Sequence, residues 1–312
     1  MAAAAGFLAA GPWALDGGMA SELEARGHDL SGALWSARLL RDEPAAILDV
    51  HRAYYAAGAA VAISASYQAS RAGFAAAGLA ADEADLLLAR SVALARTARD
   101  EAAAARPDGP PLLVAASVGP YGAILHDGSE YRGRYGLAHA DLVAFHRERL
   151  AVLVSAGPDL LAVETVPDVD EAMAVVEALA DHPDVPAWLS FSCRDGAHVS
   201  AGQPVGEAAE VAASAPSVVA VGVNCTAPEH VGAVLSAMAV AVPGLPLVAY
   251  PNAGRTWDAA TECWLGEGAD TLPEAAVTDW IDRGAALVGG CCGLGPTAVA
   301  GVAAATARLR PA

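Results

Sequence analysis

Arg283-Gly-Ala-Ala-Leu-Val-Gly-Gly-Cys-Cys292 is the stretch on which the fold turns. The amphipathic segment Leu272–Arg283 leads into Gly284, and a short apolar run follows. Helices commonly end on a glycine, and a brief apolar run without alternation suits a parallel strand covered on both faces. The same grammar occurs twice more. Ala57-Gly58 leads into Ala-Ala-Val-Ala-Ile-Ser-Ala-Ser66, and Ala156-Gly157 leads into Pro-Asp-Leu-Leu-Ala-Val-Glu-Thr165. Extended along the chain, this reading gives eight strands, near Trp13–Asp16, Val61–Ser66, Leu112–Val118, Leu160–Thr165, Ala187–Cys193, Val219–Cys225, Leu247–Pro251 and Ala286–Cys291. Amphipathic segments such as Ala45–Ala57, Asp82–Ala105, Asp141–Ala156, Asp170–Ala180 and Pro228–Val240 lie between them, and a last helix follows Pro296. Eight alternating units in 312 residues predict a (β/α)8 barrel. A doubly wound open sheet is the alternative. It usually carries a glycine fingerprint after its first strand, and Asp16-Gly-Gly-Met19 is not one. No Pro/Ser-rich linker or charge run divides the sequence, so residues 1–312 are expected to form one barrel domain.

Composition narrows the chemistry. A net charge of −18 argues against nucleic acid, whose phosphates would be repelled, and favours cationic ligands. All 18 basic residues are arginine. The absence of lysine excludes a Schiff-base aldolase, a pyridoxal-phosphate enzyme and a P-loop. No apolar run is long enough to span a membrane. The opening Met1–Ala10 lacks the positive start of a signal peptide and runs on into the first expected strand. Five cysteines without framework spacing suit a reducing, cytoplasmic setting with free or metal-bound thiols.

In a barrel the active site gathers at the C-terminal ends of the strands. The polar residues closing the expected strands are Asp16, Ser66, Glu164, Ser192, Asn224 with Cys225, Asn252, and Cys291 with Cys292. Cys225, 66 residues upstream of Cys291, would therefore meet the vicinal pair at the narrow mouth. Two long loops, Gly119–Gly136 and Pro251–Thr271, follow strands at this face, and loops of that length usually cover or bind something. The glycines around the cysteine pair point to close backbone approach.

Three thiolates suit a thiophilic metal such as Zn²⁺ and leave its fourth tetrahedral position open. Such a centre can lower the pKa of a substrate thiol and keep it nucleophilic. The implied reaction is attack of a thiolate on an electrophilic carbon, an alkyl transfer to sulfur. Inert buried cysteines or a strained vicinal disulfide are the other readings of the same residues.

Asp16-Gly-Gly-Met-Ala-Ser-Glu-Leu-Glu24, Leu34-Trp-Ser-Ala37, Val50-His-Arg-Ala-Tyr54, Ile63-Ser-Ala-Ser-Tyr-Gln68, Val118-Gly-Pro-Tyr-Gly122, Asp127-Gly-Ser-Glu-Tyr-Arg-Gly133, Val223-Asn-Cys-Thr226, Tyr250-Pro-Asn252 and Gly289-Gly-Cys-Cys292 can be taken together. With these motifs the chain resembles the homocysteine S-methyltransferase family from Ala14 to the C-terminal helix. The resemblance implies a (β/α)8 barrel with catalytic zinc on Cys225, Cys291 and Cys292. It implies homocysteine as acceptor and methionine as product. It also places Asp16 and Glu164 around bound homocysteine, where each could receive the α-ammonium. Asn224, which precedes a ligand, is expected to support the ligand or the substrate.

The segments Asp127–Gly133 and Leu34-Trp35-Ser36 look like the short branch of the family that uses S-methylmethionine. S-adenosylmethionine is a second expected donor, and both are sulfonium cations. Appended folate, cobalamin or activation domains are not expected at 312 residues. Selenohomocysteine, selenocysteine or another thiol as acceptor stays open, as does a non-catalytic zinc-binding or redox-sensing role. So does a metal-free lyase with Asp16 and Glu164 as acid and base. Tyr67, Tyr121 and Tyr131 could present ring faces to a cation. Cys193, Cys263, His51 and His146 read as structural.

Overall fold

Strands made of unbroken Ala, Val and Leu must be covered on both faces, and the chain meets that demand by closing its sheet into a ring. The computed structural model describes residues 1–30, 36–258 and 263–310. Its strands are β1 (Trp13–Ala14), β2 (Val61–Ile63), β3 (Leu113–Val118), β4 (Leu160–Val166), β5 (Ala187–Phe191), β6 (Val218–Asn224), β7 (Leu247–Tyr250), β8 (Thr256–Asp258), β9 (Cys263–Leu265) and β10 (Ala285–Val288). Eight of them run parallel in the order β1-β10-β7-β6-β5-β4-β3-β2, while β8 and β9 form an antiparallel hairpin in the loop after β7. The open ends of the row meet. Leu15 bridges Val61 in parallel, Asp16 N–H donates to Val61 O over 3.1 Å, and Ala60 N–H donates to Ala14 O over 2.8 Å. The (β/α)8 barrel expected from the sequence is therefore observed.

Helices Pro44–Ala56, Ala81–Ala105, His139–Ser155, Val169–Leu179, Val205–Ala213, Pro228–Ala241, Glu274–Asp282 and Pro296–Leu309 form the outer layer. Three of them end just before Gly58, Gly157 and Gly284, whose φ angles of +102°, +70° and +103° turn the chain back into the sheet. This is the repeated grammar read from the sequence, and the left-handed backbone explains the glycine at each repeat. Val205–Ala213 was not singled out beforehand, because its apolar stripe is mostly alanine. No helix among the described residues is long and apolar enough to cross a membrane.

The core has two shells. Val, Leu and Ala from the outward strand faces pack against the helices, while Leu15, Val61, Ala115, Ala162, Trp188, Ala220, Val248 and Leu287 fill the barrel. The helix Ala2–Ala9 closes the end of the barrel opposite the mouth, placing Phe7 and Leu8 in the inner cluster. Phe7 stacks on Trp13 with centroids 4.9 Å apart, Trp13 Nε1 donates to Phe7 O, and the Arg310 guanidinium lies 3.7 Å from the Trp13 ring. The helix Ala2–Ala9 is thus packed into the end of the barrel.

The strands stop earlier than the apolar runs suggested. β1 ends at Ala14, β2 at Ile63 and β10 at Val288. Beyond these points the backbone bonds across loops, Gly290 N–H to Asp16 O and Cys291 N–H to Pro251 O, or within a tight turn, Ser66 N–H to Ser64 O. Asp16, Ser66, Cys291 and Cys292 therefore sit on short turns at the mouth, where their side chains are no longer bound to strand alternation, whereas Glu164 and Asn224 stay within β4 and β6.

Candidate active site

Cys225 directly follows β6, and Cys291 and Cys292 lie three and four residues beyond the end of β10. Their sulfurs come together: Cys225 Sγ is 3.5 Å from Cys292 Sγ, Cys291 Sγ is 3.9 Å from Cys292 Sγ, and all three lie within 4.8 Å of one another. A tetrahedral metal with bonds of about 2.3 Å to sulfur spaces its ligands ~3.8 Å apart, and the Cys225–Cys292 and Cys291–Cys292 separations lie close to that spacing. The Cys225 thiol is held well below the ordinary thiol range, first by hydrogen bonds from Cys291 and Cys292. Cys291 and Cys292 are pushed up, first by their interaction with Cys225. Tyr131 Oη lies 3.1 Å from Cys225 Sγ, and burial together with the Cys225 charge keeps the phenol protonated, so it donates to that sulfur.

Glycine makes this meeting possible. A Cβ on Gly289 would sit 2.7 Å from Asp16 O, and one on Gly18 would sit 2.7 Å from Cys291 O. The Asp16-Gly17-Gly18 turn and the Gly289-Gly290-Cys291 turn therefore lie backbone against backbone. Gly293 N–H also donates to Ser21 Oγ over 3.0 Å.

The carboxylates sit beside the thiols. Glu164 occupies a break in register between β4 and β5, where three β4 steps from Val163 to Val166 match two on β5. The extra residue is a bulge, which re-aims a side chain. Thr165 within it has φ +60°, an uncommon state for a β-branched residue, and Cys225 has φ +46°. Asn224 holds the bulge: its Oδ1 accepts from Thr165 N–H over 2.7 Å and from Ser190 Oγ over 2.8 Å, and its Nδ2 donates to Thr165 Oγ1 over 2.7 Å. Glu164 Oε1 accepts a short hydrogen bond from Ser117 Oγ. Asp16 Oδ2 accepts from Ile63 N–H over 2.7 Å, and its buried Oδ1 has no partner. Burial raises Asp16 well above the usual carboxylate range, and the Glu164 charge adds to the rise.

A cavity with about 870 Å³ of empty volume, its open mouth included, has the three thiols, Glu164, Thr165, Tyr250, Tyr67 and Tyr131 on its walls. Glu130 and Gln68 join them from the loops after β3 and β2. The Gly119–Gly136 loop thus covers the mouth, as its length suggested. Glu171 grips it near both ends, accepting from Tyr121 N–H over 2.6 Å and from Tyr135 Oη over 2.8 Å. Arg149, buried and lowered to about 10 by desolvation, donates to Gly119 O, Ser66 O and Tyr67 O and so locks the two loops together.

The structure sorts the residues singled out in the sequence. Cys225, Cys291, Cys292 and Glu164 converge on one cavity, and Asp16 lies behind its Gly17 and Ile63 walls. Asn224 lies outside the lining, with its amide spent on Thr165 and Ser190. Tyr67 and Tyr131 face the cavity, whereas Tyr121 packs against Tyr135 and Phe145. Cys193 is buried apart from the thiol trio. His146 bonds Glu171, and His51 is fully buried. Leu34 and Trp35 lie outside the described residues, and the side chains of Ser36 and Cys263 are not described. Glu130, Gln68 and Thr165 were missed as individual residues, although Asp127–Gly133 and Ile63–Gln68 had been marked as segments.

Burial pushes Glu164 and Glu130 each up to about 7 from an ordinary 4.5. The fold thus favours their neutral forms. The stability this gives is fully present below about 4.5 and is lost as pH rises through about 7, by about 3 kcal/mol at most for each group. In ligand-free protein, Glu164→Gln is expected to flatten the fall in unfolding free energy across that interval, as read by denaturant titration at several pH values. His51, lowered to about 4 by burial, acts oppositely as pH drops below about 6.5 and cancels in the comparison. An equal slope in both proteins would refute the assignment.

A family model described as homocysteine S-methyltransferase matches residues 13–306. The chain is 47% identical over 296 residues to homocysteine S-methyltransferase of Escherichia coli (strain K12), covering 93% of this chain and 94% of that one. It is 43% identical over 293 residues to homocysteine S-methyltransferase YbgG of Bacillus subtilis (strain 168), covering 93% of each. Among solved structures, the metallated form of the Escherichia coli homocysteine methyltransferase MmuM matches with a TM-score of 0.85 at 45% identity, over 94% of this chain and 95% of that one. The oxidized form of the same enzyme matches with a TM-score of 0.84.

Proposed function

The chain belongs to the homocysteine S-methyltransferase family and is an enzyme of that activity, and from this premise we propose that its metal is zinc and its methyl donor a sulfonium compound. S-methylmethionine is the first choice of donor and S-adenosylmethionine the second. The observation that carries the reading is the trio Cys225, Cys291 and Cys292 at the wall of a cavity that also holds buried carboxylates. The three thiols are the residues that would hold zinc, and their sulfur spacing suits it. When bound there, zinc supplies the positive charge that lowers the pKa of the acceptor thiol.

The chain's own groups do the remaining work. Glu164 and Asp16 receive the α-ammonium of homocysteine and point its sulfur at the thiol cluster. Asn224 acts through Thr165, holding the bulge that aims Glu164. Tyr131 donates to Cys225 and offsets part of the negative charge gathered on the sulfurs. The homocysteine sulfur then attacks the methyl carbon in line. One carbon–sulfur bond forms as another breaks, the acceptor thiol's proton is lost to solvent, and the donor leaves as a neutral thioether. With S-methylmethionine both products are methionine. The likeness of Asp127–Gly133 to the S-methylmethionine-using branch favours this donor.

Metal analysis beside a donor panel tests the proposal. One zinc per chain is expected, with methyl transfer to homocysteine fastest from S-methylmethionine, slower from S-adenosylmethionine and absent from betaine. A zinc-loaded protein that transfers from neither sulfonium overturns the reading.

A further inference from the structure

We propose that Glu130 is the counter-charge for the sulfonium of the methyl donor, and that it sets the preference of this site for a cationic donor over its neutral thioether counterpart. The inference rests on the function proposed above and adds a residue to it.

Three buried side-chain oxygens on or just behind the cavity wall have no hydrogen-bond partner: Asp16 Oδ1, Gln68 Oε1 and Glu130 Oε2. All are acceptors, and no Arg or His is among the lining residues of the cavity. A buried carboxylate left unpaired is costly, so such a set calls for a ligand rich in positive charge. Homocysteine brings one ammonium, which Asp16 and Glu164 can receive from the strand side. A second carboxylate site remains on the loop side. Glu130 is 8% exposed and stands on the loop that covers the mouth.

Its position suits delivery of a methyl group. The adjacent Tyr131 reaches Cys225 Sγ at 3.1 Å, so this turn of the loop lies against the thiol cluster. Ser192 Oγ holds the Glu130 carbonyl, which fixes the turn. After burial, the Glu130 charge is the strongest influence on Tyr67, whose phenol also lines the cavity. A sulfonium has no N–H or O–H to donate. It is recognised by a carboxylate and by aromatic faces, and Glu130 shares the cavity wall with Tyr67 and Tyr131. Arg132, two residues beyond Glu130, is exposed and turns to Asp127 and Ser129.

The test compares S-methylmethionine with methionine, which has the same skeleton without the sulfonium charge. Binding of each to the zinc-loaded enzyme is measured by calorimetry without homocysteine, so no turnover occurs. In Glu130→Gln the preference for S-methylmethionine over methionine should fall about 10- to 100-fold, with methionine affinity and zinc content unchanged and the melting temperature not lowered. Glu130→Asp should keep most of the preference. In turnover, the KM for the donor should rise while the KM for homocysteine stays. An unchanged preference in Glu130→Gln overturns the proposal, and so does an equal loss of both ligands or a loss of zinc, which would mark a structural role. A wild-type enzyme that transfers methyl from neither sulfonium overturns the proposed donor class instead and leaves the binding comparison to decide the role of Glu130.

Discussion

Cys292→Ala should lose zinc and methyl transfer together, whereas Cys193→Ala should keep both. Cys292 Sγ lies 3.5 Å from Cys225 Sγ and 3.9 Å from Cys291 Sγ. Its removal leaves two thiols for a metal that takes three, and the acceptor thiol loses the charge that keeps it ionised. Turnover is expected to fall by about 10³-fold or more, the scale seen when a charge stabiliser is removed from a reacting centre. Cys193 is a different case. It is buried away from the trio, and burial pushes its thiol up, so it behaves as a small apolar side chain. Alanine there should cost about 1 kcal/mol of stability and leave the chemistry intact. Metal analysis and a methyl-transfer assay on both variants decide the matter. Stoichiometric zinc in Cys292→Ala would remove the thiol trio as the metal site.

Glu164→Gln should raise the KM for homocysteine about 100-fold, equivalent to ~3 kcal/mol, with zinc content unchanged. Glu164 is held in the bulge between β4 and β5, and Ser117 takes one of its oxygens. Because the site is desolvated, the carboxylate is raised to about 7 and gains much from a cationic partner. The glutamine keeps the shape and discards the charge. Asp16→Asn should act in the same direction, since Asp16 Oδ1 is a buried acceptor with no partner. An unaltered KM in both variants would place the ammonium elsewhere.

The thiol trio was legible in the sequence because strand counting assigns Cys225 and the vicinal pair to the same end of the barrel. Asp16 and Glu164 were legible in the same way, as polar residues closing apolar runs. What stayed hidden depends on backbone detail below the level of strand periodicity. Nothing in Leu160–Thr165 announces a register break, so the role of Asn224 in holding Thr165 could not be read. Glu130 was invisible as a buried group because a Ser-Glu-Tyr turn in a polar loop looks solvated. Only the packing of that loop over the mouth buries it. The fold class was secure for the opposite reason: one pattern, helix then glycine then apolar run, is repeated along the whole chain.

The glycine turns after β1 and β10 have a consequence for how the enzyme matures. Gly290 N–H bonds Asp16 O, and Gly293 N–H bonds Ser21 Oγ across 272 positions of sequence. The contact between these two turns also presents Cys291 and Cys292 to Cys225. A nascent chain folding from its N-terminus therefore has no complete metal-binding set until β10 has been released and docked beside β1. On the proposed metal set, metal uptake would follow the docking of β10 beside β1, and opening that contact would separate the ligands.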